Sequence, residues 1–315
     1  MNRCLCCGKV LNTSAAHSWH NACIKSFFGT AQFPHIDIND EIINQYAIDS
    51  THKGYTVTGV QKKLSLHLSA EAIPRLTLVN YPTGYILKPQ TEEYRALPEM
   101  EYLVMQMAKA SSIKTVPFAL LRLTSNENKF AYITKRIDRK NSMLLAMEDF
   151  CQLGGRLTED KYRGSYERCG KIITEFSSSK GMDMAEFFLR VVFSFIVGNS
   201  DMHLKNFSLT ETFEGSGKYS LSDAYDLLST NVIIPEDKEQ LALTINGKKH
   251  NIRQKDFFVL AENIGLNKRS AEKMIAKILK LKETYIKMCM ESFLPEDMKT
   301  ALAELIQNRC SVFEC

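Results

Sequence analysis

No run of about 18 apolar residues occurs anywhere in the 315-residue chain, which excludes an ordinary membrane-spanning helix. The opening residues, Met1-Asn2-Arg3-Cys4-Leu5-Cys6-Cys7, lack the charged-then-apolar order of a secretory signal, so the expectation is a cytoplasmic protein with no membrane partner. Excess charge is missing as well. A formal net charge of +4 gives no special push toward nucleic acid and accords with plain solubility. No internal repeat or low-complexity segment is present, so solenoids and fibrous arrays are excluded. Regular cysteine spacing is also absent: the nine cysteines are odd in number, and three of them crowd into the first seven residues. A disulfide framework does not look like that; metal binding at one end and free thiols elsewhere do.

What is present is an ordinary globular composition, 44% hydrophobic and 24% charged, in a chain long enough for about two domains. Residues 1–30 carry Cys4-x-x-Cys7 and then His20-x-x-Cys23. Two chelating pairs on tight turns supply four nitrogen and sulfur ligands, which suits a closed, tetrahedral structural zinc site. A segment this short cannot build a core of its own, which is a reason for a metal. Cys6 and His17 are spare candidates, and free thiols with surface histidines are the plain alternative.

The densest cluster of chemistry is Gly198-Asn199-Ser200-Asp201-Met202-His203-Leu204-Lys205-Asn206-Phe207, followed by Tyr225-Asp226-Leu227-Leu228-Ser229. It follows a strongly apolar helix, Phe187 to Val197, for which Asp183-Met184-Ala185-Glu186 reads as a capping-box start and Gly198 as the stop. A buried helix ending in a polar loop holds reactive groups on a rigid support. An Asp followed five residues later by an Asn, with a further Asp downstream, is the order used by phosphoryl-transfer sites of the protein-kinase kind. Asp201, Asn206 and Asp226 stand in that order.

Upstream lie a polar connector over 31–53 and then Thr56 to Lys62, a small, flexible loop containing Gly59. Alternation at Leu64, Leu66 and Leu68 predicts a strand, Leu76 to Val79 a second, and Tyr85-Ile86-Leu87-Lys88-Pro89 a third. A glycine loop, a hairpin and then a lysine is the order of a nucleotide-holding lobe, although a lone lysine is more often a solvated strand end. Glu92 to Ser111 reads as a helix with one apolar face; Glu101 on it could pair with Lys88, a plain surface glutamate being the commoner case. Phe118 to Leu123 and Phe130 to Arg136 predict a hairpin around Ser125 to Asn128. Met147 to Gln152 falls where a hinge would lie, and its backbone could meet an adenine edge. A short hairpin is expected over Leu241 to Lys249, with helices at Lys255 to Asn263, Lys268 to Ser292 and Pro295 to Cys310.

The set Thr58-Gly59-Val60-Gln61-Lys62-Lys63-Leu64, Ile86-Leu87-Lys88-Pro89, Glu148-Asp149-Phe150-Cys151-Gln152, the Asp201 loop and Tyr225-Asp226-Leu227-Leu228-Ser229 resembles the HipA family over residues 54–310. That family comprises bacterial serine/threonine protein kinases acting as toxins of type II toxin–antitoxin systems. The resemblance implies an α+β, two-lobed protein-kinase-like fold with a small β-rich N-lobe and a mainly helical C-lobe. The expected organisation is a zinc-knuckle-like segment at 1–30, the N-lobe at 31–150 and the C-lobe at 151–315. It implies Asp201 as catalytic base and Lys205 as neutraliser of the transferring phosphate, with Asn206 and Asp226 holding Mg2+. ATP would meet Lys88, the loop residues Thr58, Gly59, Val60, Gln61 and Lys62, the hinge residues Glu148 and Phe150, and His203. Autophosphorylation would fall on Thr56 or Thr58, where relatives more often carry serine; a phosphate there would oppose bound ATP by charge.

The same resemblance implies a protein substrate such as an aminoacyl-tRNA synthetase and a helix-turn-helix antitoxin, through which alone DNA would be met. Longer members carry an additional subdomain ahead of the glycine loop, so a separate small protein supplying that piece is a further expected partner. A small-molecule phosphotransferase is the alternative, because the same polar constellation serves both. A hydrolytic metal site from Asp201, His203 and Asp226 would leave Lys88 and the glycine loop without purpose. A catalytically silent binding module would more often have lost one of the four polar groups, and all four are present.

Overall fold

The computed structural model describes residues 3–11, 17–36, 38, 63–79, 83–123, 129–140 and 143–314. Their contacts divide the chain into a first unit, Met1–Tyr102 with Val116–Arg139, and a second, Leu103–Thr115 with Lys140–Cys315.

The first unit is a six-stranded sheet with an amino-terminal module. Its strands are β1 (His35–Ile36), β2 (Leu64–Leu68), β3 (Arg75–Val79), β4 (Tyr85–Pro89), β5 (Phe118–Arg122) and β6 (Phe130–Lys135), in the order β1-β3-β2-β4-β6-β5. Only β1 and β3 run parallel; the other pairs are antiparallel. The three strands and the hairpin read from alternation are all present, and the alternation explains why. Leu64, Leu66, Leu76 and Leu87 are buried with Ala131 and Ile133 on one face of the sheet, so the apolar residues of neighbouring strands form one core; Tyr132 is buried on the other face, opposite Lys88. Helix α1 (Asn21–Phe28) ends at Gly29, whose φ of 78° lets its N–H reach the carbonyl of Lys25. Helix α2 (Leu97–Ala110), whose residues from Leu103 on belong to the second unit, starts later than Glu92, the residue the sequence pattern favours. Gln90 is the reason: its Nε2 donates to the carbonyls of Thr91 and Tyr94, and its Oε1 accepts from Leu97 N–H at 3.2 Å. The intervening residues are thereby held as a turn, and Pro98 follows in the first helical turn, where a missing N–H costs nothing.

The second unit is mainly helical. A three-stranded sheet of order β9-β8-β7 is formed by β7 (Met147–Asp149), β8 (Ser208–Glu211) and β9 (Tyr219–Leu221). After β7 come α3 (Phe150–Leu153), α4 (Tyr166–Phe176) and α5 (Lys180–Val197), then α6 (Thr230–Ile233), α7 (Gln254–Asn263), α8 (Lys268–Leu279), α9 (Lys282–Met290) and α10 (Glu296–Ser311). Helix α5 is apolar on all sides because it is wrapped by α4, α8 and α10, and Phe187 to Val197 are buried without exception. It begins at Lys180, three residues ahead of Asp183. Asp183 is therefore no cap: its Oδ2 accepts from Ser177 Oγ at 2.6 Å and Leu221 N–H at 2.8 Å, a tertiary use of the carboxylate. The single helix expected over Lys268 to Ser292 is two, α8 and α9, interrupted at Lys280 and Leu281. The hairpin expected at Leu241 to Lys249 shrinks to one bridge, Ile245 to Lys248, around Asn246 and Gly247 at φ 48° and 74°. Leu241, Ala242 and Leu243 are fully buried, so this apolar run serves the core instead of pairing as a strand. Among the described residues no helix is long and apolar enough to cross a membrane.

Candidate functional site

The Asp201 loop is fixed at both ends and along its length. Gly198, at φ 69°, caps α5 through its N–H to Phe195 and Ser194 carbonyls, and Asn199 N–H follows to Ser194 O at 2.8 Å. A side chain at 198 would put its Cβ 2.9 Å from Leu305 Cδ2 and 3.3 Å from Asn231 Oδ1, so glycine is required twice over. Ser200 donates from its N–H to Thr230 Oγ1 at 2.7 Å and from its hydroxyl to Asp237 Oδ2 at 2.6 Å. Asn231 Nδ2 reaches Ser200 Oγ at 3.3 Å, while its Oδ1 accepts from Arg309 Nη2 at 3.1 Å. The Arg309 guanidinium lies 4.7 Å from the centre of the Phe195 ring on α5.

Within that frame Asp201 stands apart. Its N–H is held by Asn199 Oδ1 at 3.1 Å and its carbonyl by Asn206 Nδ2 at 2.9 Å, yet its side chain is 41% exposed while Asn199, Ser200, His203 and Asn206 are buried. One carboxylate oxygen accepts a hydrogen bond from Tyr162 Oη and lies 3.9 Å from His203 Nε2. Burial pushes the Tyr162 hydroxyl well above the ordinary phenol range, with the Asp201 charge adding to it, so it stays a donor. Burial also holds His203 below its ordinary value against the opposing pull of Asp201, which leaves a neutral imidazole at neutral pH. The Asp226 charge is felt at the same imidazole.

Lys205 Nζ pairs with Asp149 Oδ2 at 3.1 Å. Asp149 is at the same time the N-cap of α3, in a capping box with Gln152, so the residue that holds Lys205 is itself fixed. Strand pairing brings the 147–150 segment to the loop: Asp149 opposes Ser208, and Phe150 N–H donates to Phe207 O at 2.9 Å. Glu148 is exposed on β7, whereas the Phe150 ring is fully buried against Phe207 and Phe187. Tyr225 Oη meets Ser208 Oγ at 2.5 Å and donates to Lys205 O at 3.1 Å, which ties the segment carrying Asp226 to the loop. Asp226 has a φ of 54°, the left-handed region that Asp tolerates better than most residues.

In the first unit Lys88 is no solvated strand end. Its Nζ lies 2.6 Å from Glu101 Oε1, with the two side chains 3% and 2% exposed, and 5.3 Å from the centre of the Tyr132 ring directly across the β4–β6 pairing. Of the two readings the sequence allowed for Glu101, the pair with Lys88 is the one the structure holds, and it is buried. Thr56, Thr58, Gly59, Val60, Gln61 and Lys62 lie outside the described residues. Sequence reasoning missed Tyr162 and Asp237, and quoted Asp149 only within the hinge motif without its pairing to Lys205; each meets the loop through tertiary structure alone, Tyr162 from a position thirty-nine residues upstream of Asp201.

The amino-terminal ligand set comes together. The donor atoms of Cys4, Cys7, His20 and Cys23 all lie within 4.8 Å of one another. Burial, together with the neighbouring thiols of Cys6, Cys4 and Cys7, pushes the Cys23 thiol up. Burial opposes ionisation of Cys4 too, but hydrogen bonding from the backbone of Cys7, His20 and Cys6 prevails and holds it below the ordinary thiol value.

Comparison with known proteins matches residues 55–285 to the family model of the HipA-like C-terminal domain. A putative kinase of Haemophilus influenzae is 29% identical over 272 residues, covering 78% of this chain and 77% of that protein. The putative kinase Y4dM of Sinorhizobium fredii is 32% identical over 207 residues, 62% of this chain and 49% of the relative. Among solved structures, the Shewanella oneidensis MR-1 toxin–antitoxin complex of HipA, HipB and operator DNA contains a chain similar at a TM-score of 0.72 and 18% identity, over 88% of this chain and 71% of that one. The Helicobacter pylori proinflammatory kinase CtkA is similar at 0.56 and 14% identity, over 79% and 93%. The fold is therefore the expected α+β, two-lobed protein-kinase-like one, with a β-rich first part and a helical second.

Proposed function

Because the chain belongs to the family of HipA-like C-terminal domains, we propose that it is an ATP-dependent serine/threonine protein kinase. The observation that carries this reading is the Asp201 loop, its backbone pinned and Asn199, Ser200, His203 and Asn206 buried, while the Asp201 carboxylate stays open to a substrate hydroxyl. In this reading Asp201 accepts the proton of the attacking hydroxyl, and Tyr162 Oη gives up its hydrogen bond to Asp201 when that hydroxyl arrives. Lys205, oriented by Asp149, neutralises charge on the transferred group. Asn206 and Asp226 offer oxygen donors suited to Mg2+; the Asn206 nitrogen is spent on Asp201 O, which leaves its oxygen for the cation. Lys88, held by Glu101, meets the phosphates of ATP, and His203, neutral and buried, borders the nucleotide side of the loop. Bound ATP and Mg2+ supply the phosphoryl group and its charge neutralisation. The Glu148–Phe150 backbone forms the adenine-side hinge, with 31–150 as the nucleotide-holding lobe and 151–315 as the catalytic lobe.

The family and the similarity to the S. oneidensis complex support a toxin role, with a helix-turn-helix antitoxin as partner and DNA met only through it. The substrate in this reading is a translation-related protein such as an aminoacyl-tRNA synthetase. A small protein supplies a further N-terminal subdomain, and autophosphorylation of Thr56 or Thr58 limits the activity.

The test is transfer from labelled ATP in a bacterial lysate, wild type against Asp201→Ala, followed by phosphosite mapping. A base of this kind is worth about 10²–10⁴-fold, so the variant loses essentially all label from Thr56 or Thr58 and from a second protein. Label confined to small molecules would replace this reading with a small-molecule phosphotransferase. No Asp201-dependent transfer at all would end both.

A further inference from the structure

The amino-terminal cysteines and His20 play no part in phosphoryl transfer, yet their geometry is that of a built site. Residues 4–8 form a tight turn, with Gly8 N–H donating to Cys4 O at 2.8 Å and Cys4 N–H to Lys9 O at 2.8 Å. His20 opens α1, so that Cys23 stands in its first turn, with its N–H donating to His20 O at 2.9 Å. The two halves are joined where Leu5 N–H donates to Ser18 O at 2.9 Å and His20 N–H approaches Cys4 Sγ at 3.5 Å. His20 Nδ1 lies 3.4 Å from Cys7 Sγ and 3.9 Å from Cys23 Sγ. With zinc–sulfur bonds of about 2.3 Å, the ligand atoms of a tetrahedral site stand roughly 3.5–4 Å apart, so this cluster needs little movement to close on an ion. The two spare candidates do not belong to it: the His17 ring is stacked on Phe33 at 4.3 Å, and Cys6 lies outside the converging four.

We propose that Cys4, Cys7, His20 and Cys23 bind one zinc ion as a closed structural site, and that this ion clamps an aromatic module onto the sheet that carries Lys88. Three soft sulfur ligands and an imidazole select zinc over magnesium or calcium. Binding converts the thiols to thiolates and releases their protons to solvent. With four protein ligands no position remains for substrate, so the role is mechanical. The clamp has three points of attachment. Leu5 O accepts from Leu120 N–H at 2.9 Å, which anchors the knuckle to the edge strand β5. Phe27 O accepts from Tyr85 Oη at 3.4 Å, on the same strand as Lys88. Trp19, Phe27, Phe28 and Phe33 pack ring on ring, and Phe27 and Phe28 reach Tyr85. The ion orders the two turns on which these rings are mounted.

The chain contains a single tryptophan, Trp19, adjacent to a proposed ligand and 1% exposed, so its emission reports on this module alone. The experiment measures metal content and tryptophan emission on the full chain expressed in zinc-supplemented medium. About one zinc per chain is expected. Cys4→Ser and Cys23→Ser are expected to lose it, Cys6→Ser to keep it, and a strong chelator to red-shift Trp19 emission in a way that Zn2+ reverses and Mg2+ does not. Wild type holding less than about a tenth of an equivalent, or iron in place of zinc, would overturn the assignment, as would Cys6→Ser emptying the site as fully as Cys4→Ser. If the serine variants do not fold, the chelator titration of wild type still decides: full metal removal with unmoved Trp19 emission refutes the clamp. None of these readouts depends on kinase activity.

Discussion

Lys88 in the first unit and Asp201 in the second are both charged, and the fold treats them in opposite ways. Lys88 sits on a strand, locked by Glu101 in a pair that is almost wholly withdrawn from water. Asp201 sits on a loop whose backbone is rigid but whose carboxylate is open and lightly partnered. The proposed chemistry accounts for the difference. A group that supplies fixed positive charge gains from burial, since low dielectric strengthens its field and its orientation is never renegotiated. A base must exchange partners in every cycle, so only its support can be rigid. Stability and activity should accordingly separate along this line.

Four variants press on that contrast. Glu101→Gln removes half of a buried pair and should cost about 3–5 kcal/mol of stability, read by chemical denaturation of the first unit. The double variant Lys88→Met with Glu101→Met should recover most of that loss while phosphoryl transfer stays absent. Asp201→Ala, in contrast, should inactivate with a stability change near zero, and a large loss there would break the comparison. Gly198→Ala attacks the support and not the carboxylate. The left-handed backbone and the overlap with Leu305 should cost roughly 1–3 kcal/mol and lower turnover while Asp201 itself is intact.

The smallest effects concern pH, and they carry opposite signs in the two units. Burial pushes Glu99, at the start of α2, up to about 7 from 4.5, with its Oε2 lacking a hydrogen-bond partner. A raised folded value means a contribution that is intact below pH 4.5 and lost as pH rises through about 7. Glu99→Gln should therefore stabilise the first unit at pH 8, by about 1–2 kcal/mol, and have little effect at pH 4.5. His203 is depressed below 6.5, so its contribution is present above that pH and lost as pH falls. His203→Gln should flatten the acid side of the second unit's stability profile in a melting series from pH 5 to 7.

Much of this was legible in the residues before any coordinates. Alternation at Leu64, Leu66 and Leu87 and the all-round apolar face of α5 are local periodicities, and periodicity survives folding unchanged. Gly198 was readable because its reason, a left-handed cap, is local too. The Cys4, Cys7, His20 and Cys23 set was readable because chelation imposes spacing. What escaped was whatever depends on a distant partner. Asp183 has the spacing of a cap but is used by Ser177 and Leu221; for Glu101 the pair with Lys88 was one of two readings, and only the fold decides between them. Tyr162 carries no local mark at all; only the fold brings its hydroxyl to Asp201.

The contact between Arg309 and Asn231 bears on the order in which the protein is made. Asn231 supports Ser200, one residue before the proposed base, and Arg309 in turn supports Asn231 from α10. Translation at about 5–20 residues per second separates Asp201 from Arg309 by roughly 5–20 s, because about a hundred residues intervene. Once Asn206 has been added, the nascent chain holds every polar group of the loop but lacks its outermost brace until Arg309 follows. The support of the loop is thus completed late in the chain's own synthesis, well after the loop itself is in place.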